Sequence, residues 1–135
     1  MANINLWAVL VAALVYMVIG MVWYSPLLFG NKWLVLMNKT PKDIKKMRKS
    51  ATRAYLLSVV VALVMSYLLA QLLALTVPSY VHGLLLAVMI WIGFVATMQL
   101  NSVLYEQKPF GLYLINSGYV LVSLLVMSLI LVAWV

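Results

Sequence analysis

The amino-acid sequence predicts an all-α integral membrane protein, a four-helix bundle forming a single domain over residues 1–135. Three observations carry this reading. The chain is 67% hydrophobic and only 8% charged, more apolar surface than a small soluble fold, with its high ratio of surface to volume, can hide. Its apolar residues fall into four charge-free runs at about 4–24, 54–77, 81–105 and 110–135, each at least roughly the 20 residues that an α-helix needs to cross a hydrocarbon core. The basic residues are confined to two of the connections between those runs. Transmembrane β-strands would be about half as long and would alternate in polarity, which these runs do not.

The first run, Ile4–Tyr24, lacks a basic stretch before it and a small-residue cleavage site after it, so it is expected to stay in the protein as a span rather than leave as a signal peptide. The next stretch crowds Trp23, Tyr24 and Trp33 around Ser25-Pro26 and Gly30. Amphipathic rings settle at headgroup depth, and Pro26 lacks a backbone donor and clashes with the preceding turn, which ends or kinks the helix. Leu27–Phe29 is then expected to turn along the surface. Gly30 restarts the chain, and Asn31 caps a short interfacial helix through Met37.

Thr40-Pro41-Lys42-Asp43 has the pattern of a helix start: a hydroxyl N-cap, proline at the first helical position and an acid at the third. No proline or glycine appears again until Pro78, so a single helix is predicted from about Pro41 to Thr76. At 1.5 Å per residue that is about 54 Å, longer than a bilayer core. Its first third extends the second span beyond the bilayer, with a thin apolar stripe of Ile44, Met47 and Ala51. Within the second run small residues recur at every fourth position, Ala54, Ser58, Ala62, Ser66, Ala70 and Ala74. In lipid, such faces let helix backbones approach closely, and the seam from Ser58 to Ala74 is read as a packing surface, inside the bundle or between two copies. Gly83-xxx-Ala87 and Gly93-xxx-Thr97 give the third run a shorter version. Lys108-Pro109-Phe110-Gly111 before the fourth span weakly echoes Ser25–Gly30 after the first.

The net charge is +7, and its placement sets the expected topology. Lys32, Lys39, Lys42, Lys45, Lys46, Arg48, Lys49 and Arg53 lie between the first two spans, and Lys108 lies between the last two. Basic loops are retained in the cytoplasm, so both termini are expected outside and a basic segment of about 25–53 inside. Attraction to anionic lipid headgroups accounts for the run. Nucleic acid is not an expected partner, since no base-stacking or groove-reading element accompanies the charge.

The motif Gly20-xx-Trp23-Tyr24-Ser25-Pro26-Leu27-Leu28-Phe29-Gly30-xx-Trp33, with Lys108-Pro109, Ile115-Asn116 and Gly118-Tyr119 later in the chain, resembles the two recurring segments of the small bacterial membrane proteins grouped as domain of unknown function 1761. Lysine stands where that family is expected to carry arginine before the proline, and the charge is kept. The resemblance implies a multi-pass protein with four spans in a bacterial cytoplasmic (inner) membrane. It brings no activity with it.

Catalytic chemistry is sparse. There is no cysteine, which removes disulfides, thiolate metal sites and cysteine nucleophiles. The only carboxylates are Asp43, read as a helix cap, and Glu106, read as a loop residue paired with or near Lys108. Neither lies inside a span, where an ionisable group would signal function. His82, the only histidine, is an interfacial residue with too few companions for a metal or haem site, and the nine methionines read as core filler. No catalytic, cofactor or metal residues are assigned. One polar constellation remains. Asn101 and Asn116 flank the last hairpin at matched depth; helical spacing aligns Phe94, Thr97, Asn101 and Tyr105 on one span and Tyr113, Asn116, Tyr119 and Ser123 on the other. With Tyr24 and Ser25 closing the first span, the candidate polar pocket comprises Tyr24, Ser25, Asn101, Tyr105, Asn116 and Tyr119, opening to the cytoplasm.

The leading expectation is therefore a non-enzymatic accessory, scaffold or self-associating membrane subunit, as a homo-oligomer or within a larger membrane complex. The alternative is a channel or transporter for a small neutral or anionic solute using that pocket. A lipid-modifying enzyme has only tyrosine and serine hydroxyls to support it.

Overall fold

The computed structural model describes residues 4–40, 42–43, 45–46 and 51–134. Among them every regular element is helical, and four helices are long and apolar enough to cross a membrane: Leu6–Trp23, Ala51–Ala74, Tyr80–Leu104 and Phe110–Ala133. This is the fold of a multi-pass membrane protein. A short helix, Gly30–Leu36, comes after the first span.

The first span starts on Asn5, whose side-chain oxygen accepts from the backbone N–H groups of Trp7 and Ala8 at 3.0 and 3.4 Å, relieving two of the unbonded donors every helix start carries. The same amide donates to the Trp134 carbonyl, so the beginning and end of the bundle meet at one end, here the terminal end. The opposite, basic end holds the Gly30–Leu36 helix and the turn between the third and fourth spans. The short helix closes with Asn38 in the left-handed region, φ 54°. There the Asn38 and Lys39 N–H groups bond back to the Val35 and Leu34 carbonyls, the two bonds of a Schellman cap. Thr40 then opens the next helical turn: its N–H and hydroxyl both donate to Asp43 Oδ2 at 2.9 Å, and Asp43 N–H returns to the Thr40 hydroxyl. These bonds hold the Asp43 carboxyl below the usual carboxylate range. Lys42, Asp43, Lys45 and Lys46 are helical. Pro41, Ile44 and Met47 lie outside the described residues, and so does the predicted continuity of one helix from Pro41 into the second span. That span ends at Ala74 rather than Thr76, because the Thr76 hydroxyl turns back onto the Leu73 carbonyl.

The fourth span is the hub. It packs along the first and third spans and more lightly on the second, which lies against the other side of the first. The core is built where small residues meet: Ala12, Ala62, Ala87 and Met127 are fully enclosed, together with Val9, Leu69, Leu124 and Leu131. In lipid this close approach, rather than the burial of leucine, holds helices together. The Ala/Ser seam of the second span faces the first, and the Ser66 hydroxyl donates to the Val9 carbonyl at 2.8 Å. Ala62, Ser66 and Ala70 are buried, but Ala54 and Ala74 are exposed and Ser58 is half-exposed, since the two helices diverge beyond the crossing.

The third span departs most from expectation. Gly83 and Ala87 pack as predicted, with a Cβ added to Gly83 lying 2.9 Å from Val132. Trp91–Ala96, however, forms a π-helix with no buried residue. Gly93 has open space around it, and Thr97 is exposed with its hydroxyl on the Gly93 carbonyl. Gly93-xxx-Thr97 is therefore not a packing face within the bundle.

Candidate functional site

The corner after the first span is held by its own backbone. Ser25 turns its hydroxyl onto the Val22 carbonyl at 2.6 Å, Phe29 N–H reaches the Trp23 carbonyl, and Gly30 N–H reaches the Ser25 carbonyl. These bonds satisfy carbonyls that the helix end leaves unpaired. The chain doubles back so tightly that a Cβ on Gly30 would strike the Tyr24 carbonyl and lie 2.7 and 2.8 Å from the Ser25 carbonyl carbon and oxygen. The helix therefore starts at Gly30 with Phe29 as its N-cap, and Asn31 does not cap it. The Phe29 ring packs on Trp23, with centroids 4.7 Å apart.

From this corner two aromatic side chains lock the first and fourth spans together. The Trp23 indole N–H donates to the Ile115 carbonyl at 2.9 Å, passing over Gly118, where a Cβ would sit 3.3 Å from the ring. Reciprocally, the Tyr119 hydroxyl crosses Gly20 to donate to the Tyr16 carbonyl at 3.0 Å. The Tyr24 ring stands edge-on to Trp33 and Tyr119, and its hydroxyl donates to Asn116 Oδ1 at 2.7 Å. On the other flank the ends of the π-helix are pinned to the fourth span. Trp91 Nε1 donates to the Ser117 carbonyl at 2.7 Å, and the Tyr113 hydroxyl donates to the Ala96 carbonyl at 2.9 Å.

Between these two seams, at the basic end, lies a cavity of about 470 Å³ whose polar lining includes Gln99, Asn101, Ser102, Glu106, Asn116 and Tyr113, with Tyr24 and Tyr119 forming its inner wall. That volume falls within the range of small-molecule sites. Gln99 Oε1 lies beneath this lining, buried and without a hydrogen-bond partner, an uncommon state for a buried polar atom. Two further hollows differ. A groove of about 530 Å³ between the first and second spans shares Tyr24 and Tyr119 as its wall. One of about 480 Å³ at the terminal end shares no residue with either and is separated from them by the packed layer around Ala12, Leu124 and Met127.

Of the residues the sequence proposes for the pocket, Tyr24, Asn101, Asn116 and Tyr119 line this one cavity. Asn101 and Asn116 are not directly hydrogen-bonded; the partner of Asn116 is Tyr24. Ser25 and Tyr105 are outside. The Ser25 hydroxyl is engaged in capping, and Tyr105 is 82% exposed. The stripe Phe94, Thr97, Asn101, Tyr105 points largely outward. A π-turn takes in an extra residue and rotates the rest of the helix by about 100° relative to an unbroken α-helix. Gln99 and Ser102, absent from the sequence reading of the pocket, thereby join the lining; an amide inside an apolar run is the available signal. Glu106 also joins it, and no ion pair engages Glu106 among the described residues. No three His, Cys, Asp or Glu side chains converge among them either.

A family model described as protein of unknown function (DUF1761) matches residues 7–132. No curated protein and no solved structure matches the chain.

Proposed function

The chain belongs to the DUF1761 family, and on that premise we propose that it is a non-catalytic, membrane-embedded binding protein that takes a small polar solute from the cytoplasm. Its basic end faces inward and both termini face outward, because all the lysines and arginines lie in, or within three residues of, connections that this arrangement retains in the cytoplasm. The observation that carries the proposal is the cavity itself, where Gln99, Asn101, Glu106 and Asn116 from the third and fourth spans and the turn between them line one space at the basic end. A pair of amides serving only as a structural clamp would bond to each other and leave no hollow. The self-associating reading draws less support, since the centre of the Ala/Ser seam is buried against the first span of the same chain. A simple channel is also disfavoured, because the polar cavity ends at packed core and shares no lining with the terminal-end hollow.

The absence of native cysteine allows a direct test. Single cysteines at Gln99, Asn101 and Asn116 should react with a charged, membrane-impermeant thiol reagent supplied from the cytoplasmic side. Cysteines at the outward-facing Phe94 and Leu114 should stay silent. Silence at both Gln99 and Asn116 in folded protein would mean a dry contact and would sink the binding proposal.

A further inference from the structure

We infer that the solute is a small organic cation bearing N–H groups, an alkylammonium or guanidinium, held by Glu106 and Asn101. This rests on the binding proposal above and narrows the neutral-or-anionic expectation drawn from sequence. The balance of donors and acceptors around the cavity selects this class. Each neighbouring hydroxyl proton is already engaged: Tyr24 on Asn116 Oδ1, Tyr113 on the Ala96 carbonyl, Tyr119 on the Tyr16 carbonyl and Ser102 on the Gln99 carbonyl. The remaining lining is rich in acceptors. The Glu106 carboxylate stands at the exposed side of the cavity, and the oxygens of Tyr113 and Ser102 keep free lone pairs. The only uncommitted side-chain donors on the lining are neutral amides.

No lysine, arginine or histidine among the described residues lines the cavity. An anion there would meet the carboxylate with no compensating charge, whereas an ammonium or guanidinium offsets Glu106 and donates N–H groups to it and to the Asn101 amide oxygen. The basic segment between the first two spans repels cations, but exposed charges are largely screened beyond about 8 Å at physiological salt, so the groups lining the cavity decide which solute is held.

The test titrates the detergent-solubilised full chain with three probes of matched length, butylammonium, butyramide and butyrate, by calorimetry. Butylammonium should bind saturably and shield a cysteine at Asn116 from thiol reagent. Glu106→Gln should weaken it about tenfold or more, as expected when a charge partner is removed, while circular dichroism stays unchanged; Glu106→Asp should recover part of the loss. Preference for butyramide or butyrate, or an unchanged butylammonium affinity in Glu106→Gln, would overturn the cation inference and leave the binding proposal standing. Failure of butylammonium to bind also overturns it. The reactivity of the cysteines at Gln99 and Asn116 then decides separately whether the binding proposal falls too.

Discussion

Tyr119 of the fourth span lies across Gly20 of the first: its hydroxyl reaches the Tyr16 carbonyl at 3.0 Å only because Gly20 carries no side chain. One turn along the same helix pair, Trp23 lies across Gly118 in the reverse sense. Each aromatic uses the gap left by a glycine of the opposing helix, which ties the spacing Gly20-xx-Trp23 to the pair Gly118-Tyr119. The two segments are parts of one joint, and that joint forms the inner wall of the polar cavity.

Gly20→Ala should therefore be destabilising, since its Cβ would lie 2.8 Å from the Tyr119 hydroxyl oxygen and 3.1 Å from the adjacent ring carbon. Overpacking of this kind costs about 1–3 kcal/mol. Tyr119→Phe removes the crowding oxygen, so the double variant should lose less stability than the two single changes together. Thermal melts in mild detergent give the coupling; strict additivity would show that the two residues do not meet.

Two glycines offer a sharper contrast. Gly30→Ala drives a methyl group into the backbone of Tyr24 and Ser25, which cannot move without breaking the Phe29–Trp23 and Gly30–Ser25 bonds. Loss of about 2 kcal/mol or more is expected, or failure to accumulate. Gly93→Ala meets nothing within 4 Å and should be neutral or gain up to about 1 kcal/mol from helix propensity. The same melts report both, and equal behaviour of the two variants would contradict the geometry.

The seam of the second span gives a third expectation. Ala62 is fully enclosed, so Ala62→Leu should cost about 1–3 kcal/mol through overpacking. Ser66→Ala loses only its bond to Val9 and should cost about 0.6 kcal/mol, the average for such bonds in membranes. If Ala62→Leu instead left the melting temperature unchanged and altered only the oligomer size, the seam would face another copy rather than the first span.

The legibility of the fold in the sequence depends on the physical quantity each signal reports. Hydrophobic length reports solvent, so the four spans are readable without reference to their partners. Small residues every fourth position mark Ala62 and Ser66 correctly, because close approach is a local requirement. The same rule misleads at Gly93, since a glycine in an α-helical count says nothing of a π-turn that faces outward. That turn has no distinct local signature: it is held from outside, by Trp91 on the Ser117 carbonyl and Tyr113 on the Ala96 carbonyl. Once it forms, helical spacing no longer transfers from Phe94 to Tyr105, which is why Tyr105 leaves the pocket and Gln99 enters it. Ser25 leaves the pocket for another reason. A hydroxyl at a helix end has its own backbone within reach, and the Val22 carbonyl claims it.

The proposed orientation has its own check. A reporter fused after residue 135 that is active only in the cytoplasm should be silent, and one fused between Asn38 and Thr40 should be active, because all nine basic residues lie in, or within three residues of, connections assigned to the inner side. Activity after residue 135 would invert the topology and turn the polar cavity away from the cytoplasm.

The Tyr24–Asn116 bond has a structural and a functional share, and two variants separate them. Tyr24 donates to Asn116 Oδ1 at 2.7 Å, which fixes the amide so that its Nδ2 is directed away from the tyrosine. Tyr24→Phe keeps the ring that stands edge-on to Trp33 and Tyr119 and removes only the donor. Its stability cost should be modest, about 0.6 kcal/mol. The amide, however, is then free to rotate and offer its oxygen to the cavity, adding an acceptor where a cationic solute needs one. Binding of butylammonium should therefore hold or tighten in Tyr24→Phe, whereas Asn116→Leu, which fills polar space with an apolar side chain, should weaken it with a comparably small loss in melting temperature. A joint that served packing alone predicts the opposite ordering: both variants would track stability, and neither would change binding independently. Calorimetry and melts on the same preparations decide between the two.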